Sequence, residues 1–311
     1  MLRSTPSRWL GVVAVLAIAA EIVLRAVLGL GHPLLMEPNR TYGYMPAPNQ
    51  DLHRFFSHIH INANGMRSDD IETEKPPGKK RILFDGDSVL FGTTYLDQAA
   101  IFTGLLQRDL GSDTQVMNAS AGGWAAANEL GFLKARGTFM ADLVVFVLNT
   151  RDLTQRFAEF EENAMNPTHN PPTAVGELLS RYVAPRIFKG LSVHDPGSTA
   201  EGDPAIETET PKILAALSEA HRVASDGGAR FAIIYSPAVG DDVTKYQKHW
   251  DQGVAMLLDW AKREQIPIVD MRQDFGAYRS KEVFLDGIHL KALGHKLMER
   301  AFLANYQGGH L

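Results

Sequence analysis

The chain has 311 residues, a formal net charge of −5 and no cysteine. A chain of this length can bury about 75% of the surface its unfolded form exposes, so it needs no disulfide or metal staple. The absence of Cys excludes disulfide frameworks, thiol nucleophiles and Cys-ligated metal sites, and the acidic balance argues against general nucleic-acid binding.

The N-terminus departs from this average. Arg3 and Arg8 precede an uncharged run from Trp9 to Ala20, and Glu21 and Arg25 follow one helical turn apart. The 22 residues from Trp9 to Leu30 can span a bilayer as a helix. A cleaved signal peptide ending near Ala17-Ile18-Ala19 and a buried soluble helix are the competing readings. A signal-anchor over residues 1–30 is the leading expectation, with Glu21 and Arg25 paired near its outer end. The two leading arginines put the N-terminus in the cytoplasm and the remainder outside. Beyond residue 30 the chain carries 28 basic and 35 acidic residues, so that part does not read as a surface clinging to anionic lipid.

Residues 31–78 read as an extracytoplasmic linker and N-terminal extension, closed by Pro76-Pro77-Gly78. Within it, His58–Asn62 alternates as a short strand and Asn64-Gly65 marks a turn.

From Lys79 onward the chain is regular. Strands are expected at Arg81–Phe84, Gln115–Asn118, Leu143–Leu148, Arg230–Tyr235 and Ile268–Asp270. Helices are expected at Gln98–Leu110, Ala125–Gly137, Pro211–Asp226, Asp241–Gln265 and Lys291–Tyr306. Strands alternating with helices predict an α/β fold. It is a doubly wound, flavodoxin-like three-layer sandwich around a parallel five-stranded sheet, with ligands at the C-terminal strand ends. Residues 153–210, with six prolines (Pro167, Pro171, Pro172, Pro185, Pro196, Pro204), interrupt this rhythm and read as a lid-like insertion.

Two segments carry chemistry. In Ile82-Leu83-Phe84-Asp85-Gly86-Asp87-Ser88 a buried strand runs into Gly-Asp-Ser, so Ser88 stands where the chain leaves the sheet. That position exposes its hydroxyl and aims backbone N–H groups at a bound group; an ordinary strand-end turn is the alternative. In Asp286-Gly287-Ile288-His289 the carboxylate can hold one ring nitrogen while the other faces outward as a base.

Together, Gly-Asp-Ser after the first strand and Asp-x-x-His before the last helix resemble the GDSL, or SGNH, hydrolase superfamily. Asn118-Ala119-Ser120-Ala121-Gly122-Gly123 is similar to that family's second block, and the strand ending Asn149-Thr150-Arg151-Asp152 to its third. Leu293-Gly294-His295 adds to the likeness. Gly43-Tyr44, Pro48-Asn49-Gln50 and Asn62 to Arg67, lying between a span and the Gly-Asp-Ser block, resemble bacterial membrane-anchored members.

The resemblance implies a carboxylic ester hydrolase with Ser88 as nucleophile, His289 as base and Asp286 as its partner. Ser88 and Gly123 would form the oxyanion hole, Gly122 being the fallback. Arg151 stands where the family has its oxyanion Asn. Arg151 is expected to face the site, with Asn149, two residues earlier, as the substitute donor. The implied enzyme is a periplasmic deacylase or deacetylase tethered to the bacterial inner membrane, its substrate an acylated cell-surface carbohydrate. An O-acyltransferase of the same fold and a catalytically silent scaffold are the rivals. No cofactor, metal or nucleic acid is expected. His53, His58 and His60 have no carboxylate evident in register and read as plain surface. Trp124 reads equally as pocket wall or core.

Overall fold

The computed structural model describes residues 6–187 and 205–311. Arg3, the Arg8 side chain and residues 188–204 of the insertion, with Pro196 and Pro204, lie outside the described residues.

The apolar N-terminal run forms helix α1 (Pro6–Leu28). Its stretch Trp9–Leu28 is long and apolar enough to cross a membrane, with a mean hydropathy of 2.3. Residues 9–20 are exposed throughout, whereas Glu21 and Arg25 are partly covered. The expected pair forms, Arg25 Nε donating to Glu21 at 2.6 Å. Glu21 also accepts the backbone N–H groups of Ala174 and Val175, at 2.8 and 3.1 Å, which the sequence did not announce. These bonds fasten the last turns of α1 to the insertion.

Residues 31–78 contain two antiparallel hairpins. Strand β1 (Met36–Asn39) pairs with β2 (Gly43–Pro46), and β3 (Gln50–Arg54) with β4 (Ser57–Ile61). Only β4 and the Gly65 turn are legible in advance. Arg67, fully buried, donates to the carbonyls of Phe91, Thr93 and Leu96 at 2.7, 2.6 and 2.6 Å. The extension therefore clamps the loop that follows Ser88.

The sheet consists of β5 (Lys80–Gly86), β6 (Thr114–Ser120), β7 (Leu143–Asn149), β8 (Arg230–Ser236) and β9 (Ile268–Asp270), all parallel, in the order β6-β5-β7-β8-β9. This is the flavodoxin-like order 2-1-3-4-5. Every residue of β7 is buried, as suits a central strand covered on both faces. Connecting helices are α2 (Ser88–Phe91), α3 (Phe102–Leu110), α4 (Ala126–Arg136), α5 (Ala174–Glu177), α6 (Ala184–Ile187) and α7 (Ile206–Asp226). After β8 come α8 (Asp241–Lys245), α9 (Gln247–Glu264), α10 (Arg272–Gly276), α11 (Ser280–Val283) and α12 (Ala292–Gln307). Helices α4, α7 and α9 pack as one layer, and α3 and α12 as the other.

Three expected helices differ at their edges. Gln98–Leu110 divides at Ile101, whose backbone is extended. Phe102 then donates its N–H to His295 Nδ1 at 3.2 Å, so a distant histidine caps α3. Asp241–Gln265 divides at Tyr246. Helix α7 starts at Ile206 rather than Pro211, because Glu207 and Glu209 occupy a favourable acidic first turn ahead of the proline.

Candidate active site

Strand β5 delivers Asp87 and Ser88 to the C-terminal edge of the sheet. Asp87 caps α2, its Oδ1 accepting the Val89 N–H at 2.8 Å. The sharp exit leaves Ser88 half-buried. The loop between α11 and α12 is closed by an isolated bridge between Phe284 and Leu290, and it carries Asp286 and His289 to the same edge. His289 Nε2 lies 2.9 Å from Ser88 Oγ, and His289 Nδ1 lies 2.7 Å from Asp286 Oδ2. With Nδ1 protonated toward Asp286, Nε2 accepts the hydroxyl proton of Ser88. Burial raises the Asp286 carboxyl, but the His289 ring and the N–H groups of Ile288 and His289 outweigh it and hold the group well below the ordinary carboxylate range. Ser88, His289 and Asp286, 201 residues apart at the extremes, thus meet as the sequence motifs imply.

Gly122 is the exposed member of the glycine pair, and a Cβ on it would lie 3.8 Å from Ser88 Cβ. Its carbonyl accepts the Tyr44 hydroxyl at 2.5 Å. In a trans peptide the N–H points opposite to the C=O, so the Gly123 N–H turns away from buried Tyr44. Gly123 itself has φ +80°, a conformation suited to glycine. Trp124 belongs to the core, fully buried with its Nε1 donating to Tyr44 O at 2.6 Å.

The remaining expected donors sit elsewhere. Asn149 is buried, and its Nδ2 donates to Asp87 Oδ2 and Asp152 Oδ2, both at 3.0 Å. Both amide hydrogens are thereby used, and the expected substitute donor is instead a strut beneath the Ser88 turn. The Arg151 guanidinium lies against Gly287, where a Cβ would be 3.3 Å from Nη2. This places it beside the loop that carries Asp286 and His289.

Beneath Ser88, Asp85, Asp87, Glu129 and Asp152 are all buried. Burial pushes Asp85 well above the ordinary carboxylate range. The same cause raises Glu129 and Asp152, and neighbouring carboxylates add to both. Burial, with Arg67 nearby, lowers His295 to about 3, so it stays neutral as a cap.

A cavity of about 310 Å³ opens beside His289, Asp286 and Gly122. Its walls include Leu34, Met36 and Tyr95 as well as Arg181 of the insertion. A larger cavity of about 630 Å³ lies on the far side of the β3–β4 hairpin and touches none of the three site residues. That hairpin alters one expectation. Asp51 stands directly opposite His60, and its Oδ1 lies 2.9 Å from His58 Nε2. A carboxylate is therefore in register with the histidines. Asp51, His53 and His58 each offer a ligand atom within 4.8 Å of the others, and they are the described residues that could hold a metal ion.

No family model matches the sequence. A search of curated proteins also finds no match. Among solved structures, the chain is similar to a lipase/acylhydrolase from Enterococcus faecalis, with 14% identity, 74% of this chain and 96% of that one covered, and a TM-score of 0.46. It is similar to a lipolytic protein of the G-D-S-L family from Veillonella parvula, with 12% identity, 73% and 98% coverage and a TM-score of 0.47. A third is an acetylxylan esterase from Geobacillus stearothermophilus, with 14% identity, 74% and 95% coverage and a TM-score of 0.44.

Proposed function

We propose that the chain is an exported, membrane-tethered serine ester hydrolase that removes short acyl groups, acetyl foremost, from cell-surface carbohydrate. The observation that carries this reading is the continuous hydrogen-bonded line from Asp286 through His289 to Ser88, 2.7 and 2.9 Å long in its two steps. Ser88 Oγ attacks the ester carbonyl as its proton passes to His289 Nε2. Asp286 keeps the ring oriented and stabilises its cation. The N–H groups of Ser88 and Gly123 receive the oxyanion. Collapse leaves acyl-Ser88 and an alcohol that takes the proton from His289. Water then repeats the sequence, releasing the carboxylic acid and restoring Ser88.

The cavity beside His289 supports an acyl group bound next to the general base. The apolar stretch Trp9–Leu28, preceded in sequence by Arg3 and Arg8, supports the tether and the outward orientation. The test is turnover of p-nitrophenyl acetate against p-nitrophenyl octanoate, with and without a sugar acceptor. Faster release from the acetate, lost in Ser88→Ala, is the expected result. Release that depends on the sugar and yields acylated sugar would make the protein a transferase. Absence of release from both esters would remove the reading.

A further inference from the structure

The cavity beside the triad has one charged wall that the reaction does not use. The insertion runs from α5 through a stretch of π-helix, Leu178–Val183, into α6, and that stretch carries Arg181 into the cavity wall, which also holds Tyr95, Gly122 and His289. The Nη1 atom of Arg181 is sealed from solvent and has no hydrogen-bond partner among the described residues. A buried guanidinium nitrogen without an acceptor costs free energy, because its hydration is lost and nothing replaces it.

The charges around Arg181 do not cancel. Buried Glu177 is committed to Arg54, whose Nη2 donates to Glu177 Oε1 at 2.5 Å, and to the Gly31 N–H at 2.5 Å. Arg54 also donates to the carbonyls of Gly29 and His32 and to the Tyr182 hydroxyl. Two cations, Arg54 and Arg181, therefore share one carboxylate, and Arg54 is the one that holds it. Burial lowers Arg181 from its ordinary value, Arg54 adds to this, and Tyr182 and Glu177 oppose it. The group remains cationic at neutral pH, as arginine does in proteins. A positive charge in the wall of a cleft is complementary to an anion, and a guanidinium meets carboxylate or phosphate oxygens with directional, charge-assisted bonds.

We propose that Arg181 forms an anion subsite of the catalytic cleft, so that the ester substrate carries an ionised acidic group, a carboxylate or a phosphate, near the ester that is cleaved. This rests on the ester-hydrolase reading for its catalytic half only; binding of the anion stands on the place of Arg181 in the cavity wall and on its charge, which Glu177, held by Arg54, does not cancel. Arg181 and His289 line the same cavity of about 310 Å³, so the anion and the ester belong to one small molecule or to one sugar unit. On a carbohydrate this selects an acidic sugar or a phosphorylated one over a neutral sugar. A charge-assisted bond in such a site is worth about 10- to 100-fold in affinity.

Three monoacetylated methyl glycosides test the subsite on the full-length protein: methyl glucoside, methyl glucuronide and methyl glucoside 6-phosphate. The same three sugars without the acetyl group are titrated by calorimetry, which reads binding without turnover. The expected result is about a 10- to 100-fold higher kcat/KM for one anionic ester over the neutral one, expressed in KM, with the matching free sugar binding more tightly. The glucuronide and phosphate arms separate the two sources of the anion. In Arg181→Gln the anionic-to-neutral ratio falls toward one, and Arg181→Lys retains part of it. Equal kcat/KM and equal binding for all three sugars in the parent would overturn the subsite while leaving the hydrolase reading intact. A preference that survives in Arg181→Gln would overturn it too, as would a loss in that variant that falls equally on neutral and anionic esters. Charge-selective binding lost in Arg181→Gln, without turnover of any ester, would uphold the subsite and remove the hydrolase reading.

Discussion

The hydroxyl of Tyr44 donates to the carbonyl of Gly122 at 2.5 Å, joining the N-terminal hairpin to the turn beside Ser88. Trp124 Nε1 bonds back to Tyr44 O, and Asn128 Nδ2 to Tyr42 O, so the hairpin grips this turn at three points. The peptide between Gly122 and Gly123 is thereby fixed in one orientation, with its N–H on the face away from Tyr44.

Removing that hydroxyl should loosen the peptide without emptying the core. Tyr44→Phe is expected to lower kcat about 10-fold, less than outright loss of an oxyanion donor, with KM little changed. Stability should fall by about 1–2 kcal/mol for the stranded Gly122 carbonyl. Steady-state kinetics on p-nitrophenyl acetate together with thermal melts check this. An unchanged kcat with a lowered Tm would assign the hairpin a purely structural part.

Asn149 and Arg151 should behave differently from each other. Asn149→Ala strips the donor from Asp87 and Asp152, both buried, and should cost about 1–3 kcal/mol for each carboxylate left short of a partner. Arg151→Ala should lower kcat, because its guanidinium rests against Gly287 within the loop that holds Asp286 and His289. Arg151→Asn should not restore the rate. Restoration by Asn would return Arg151 to the oxyanion hole.

The buried carboxylates set a pH dependence of stability. Asp85, Glu129 and Asp152 have raised values in the folded protein, whereas in the unfolded chain such groups ionise near pH 4. The folded state then binds more protons above that pH, so stability declines as pH rises from the unfolded value toward the raised one. Glu129→Gln removes the titrating group and keeps its shape. Its Tm relative to the parent should be higher at pH 8 than at pH 4.5, by about 2–4 °C for each kcal/mol recovered. An equal difference at both pH values would contradict the shift.

Helix α1 should do more than tether. The full chain should fractionate with membranes, and a chain starting at residue 32 should be soluble but melt lower, since it lacks the Glu21 bonds to Ala174 and Val175. A phosphatase fused after residue 35 should be active outside the cytoplasmic membrane. An inactive fusion would contradict the orientation.

The five sheet strands were legible because central parallel strands are continuous apolar runs between turn formers. Ser88, Asp286 and His289 were legible because each sits in a short motif at an expected strand or helix end. What escaped depends on contacts remote in sequence. Nothing near Gln98 announces that His295 will cap α3, and nothing near Ser57 shows that β3 brings Asp51 across from His60. The contact of Tyr44 with Gly122 and the place of Arg181 in the cavity wall escaped for the same reason, lying on a hairpin and an insertion that carry no catalytic motif. The place of Asn149, offered as the substitute donor two residues before Arg151, escaped too, since its amide is consumed by carboxylates that only the folded chain assembles.

The most direct measurement of the central claim is labelling of Ser88 by a fluorophosphonate, read by intact mass and by peptide mapping. The parent protein should gain one adduct on the peptide containing Ser88, His289→Ala should label far more slowly, and Ser88→Ala should not label. Equal labelling of parent and Ser88→Ala, or an adduct on any other serine, would contradict the assignment of Ser88, His289 and Asp286 as the reacting group.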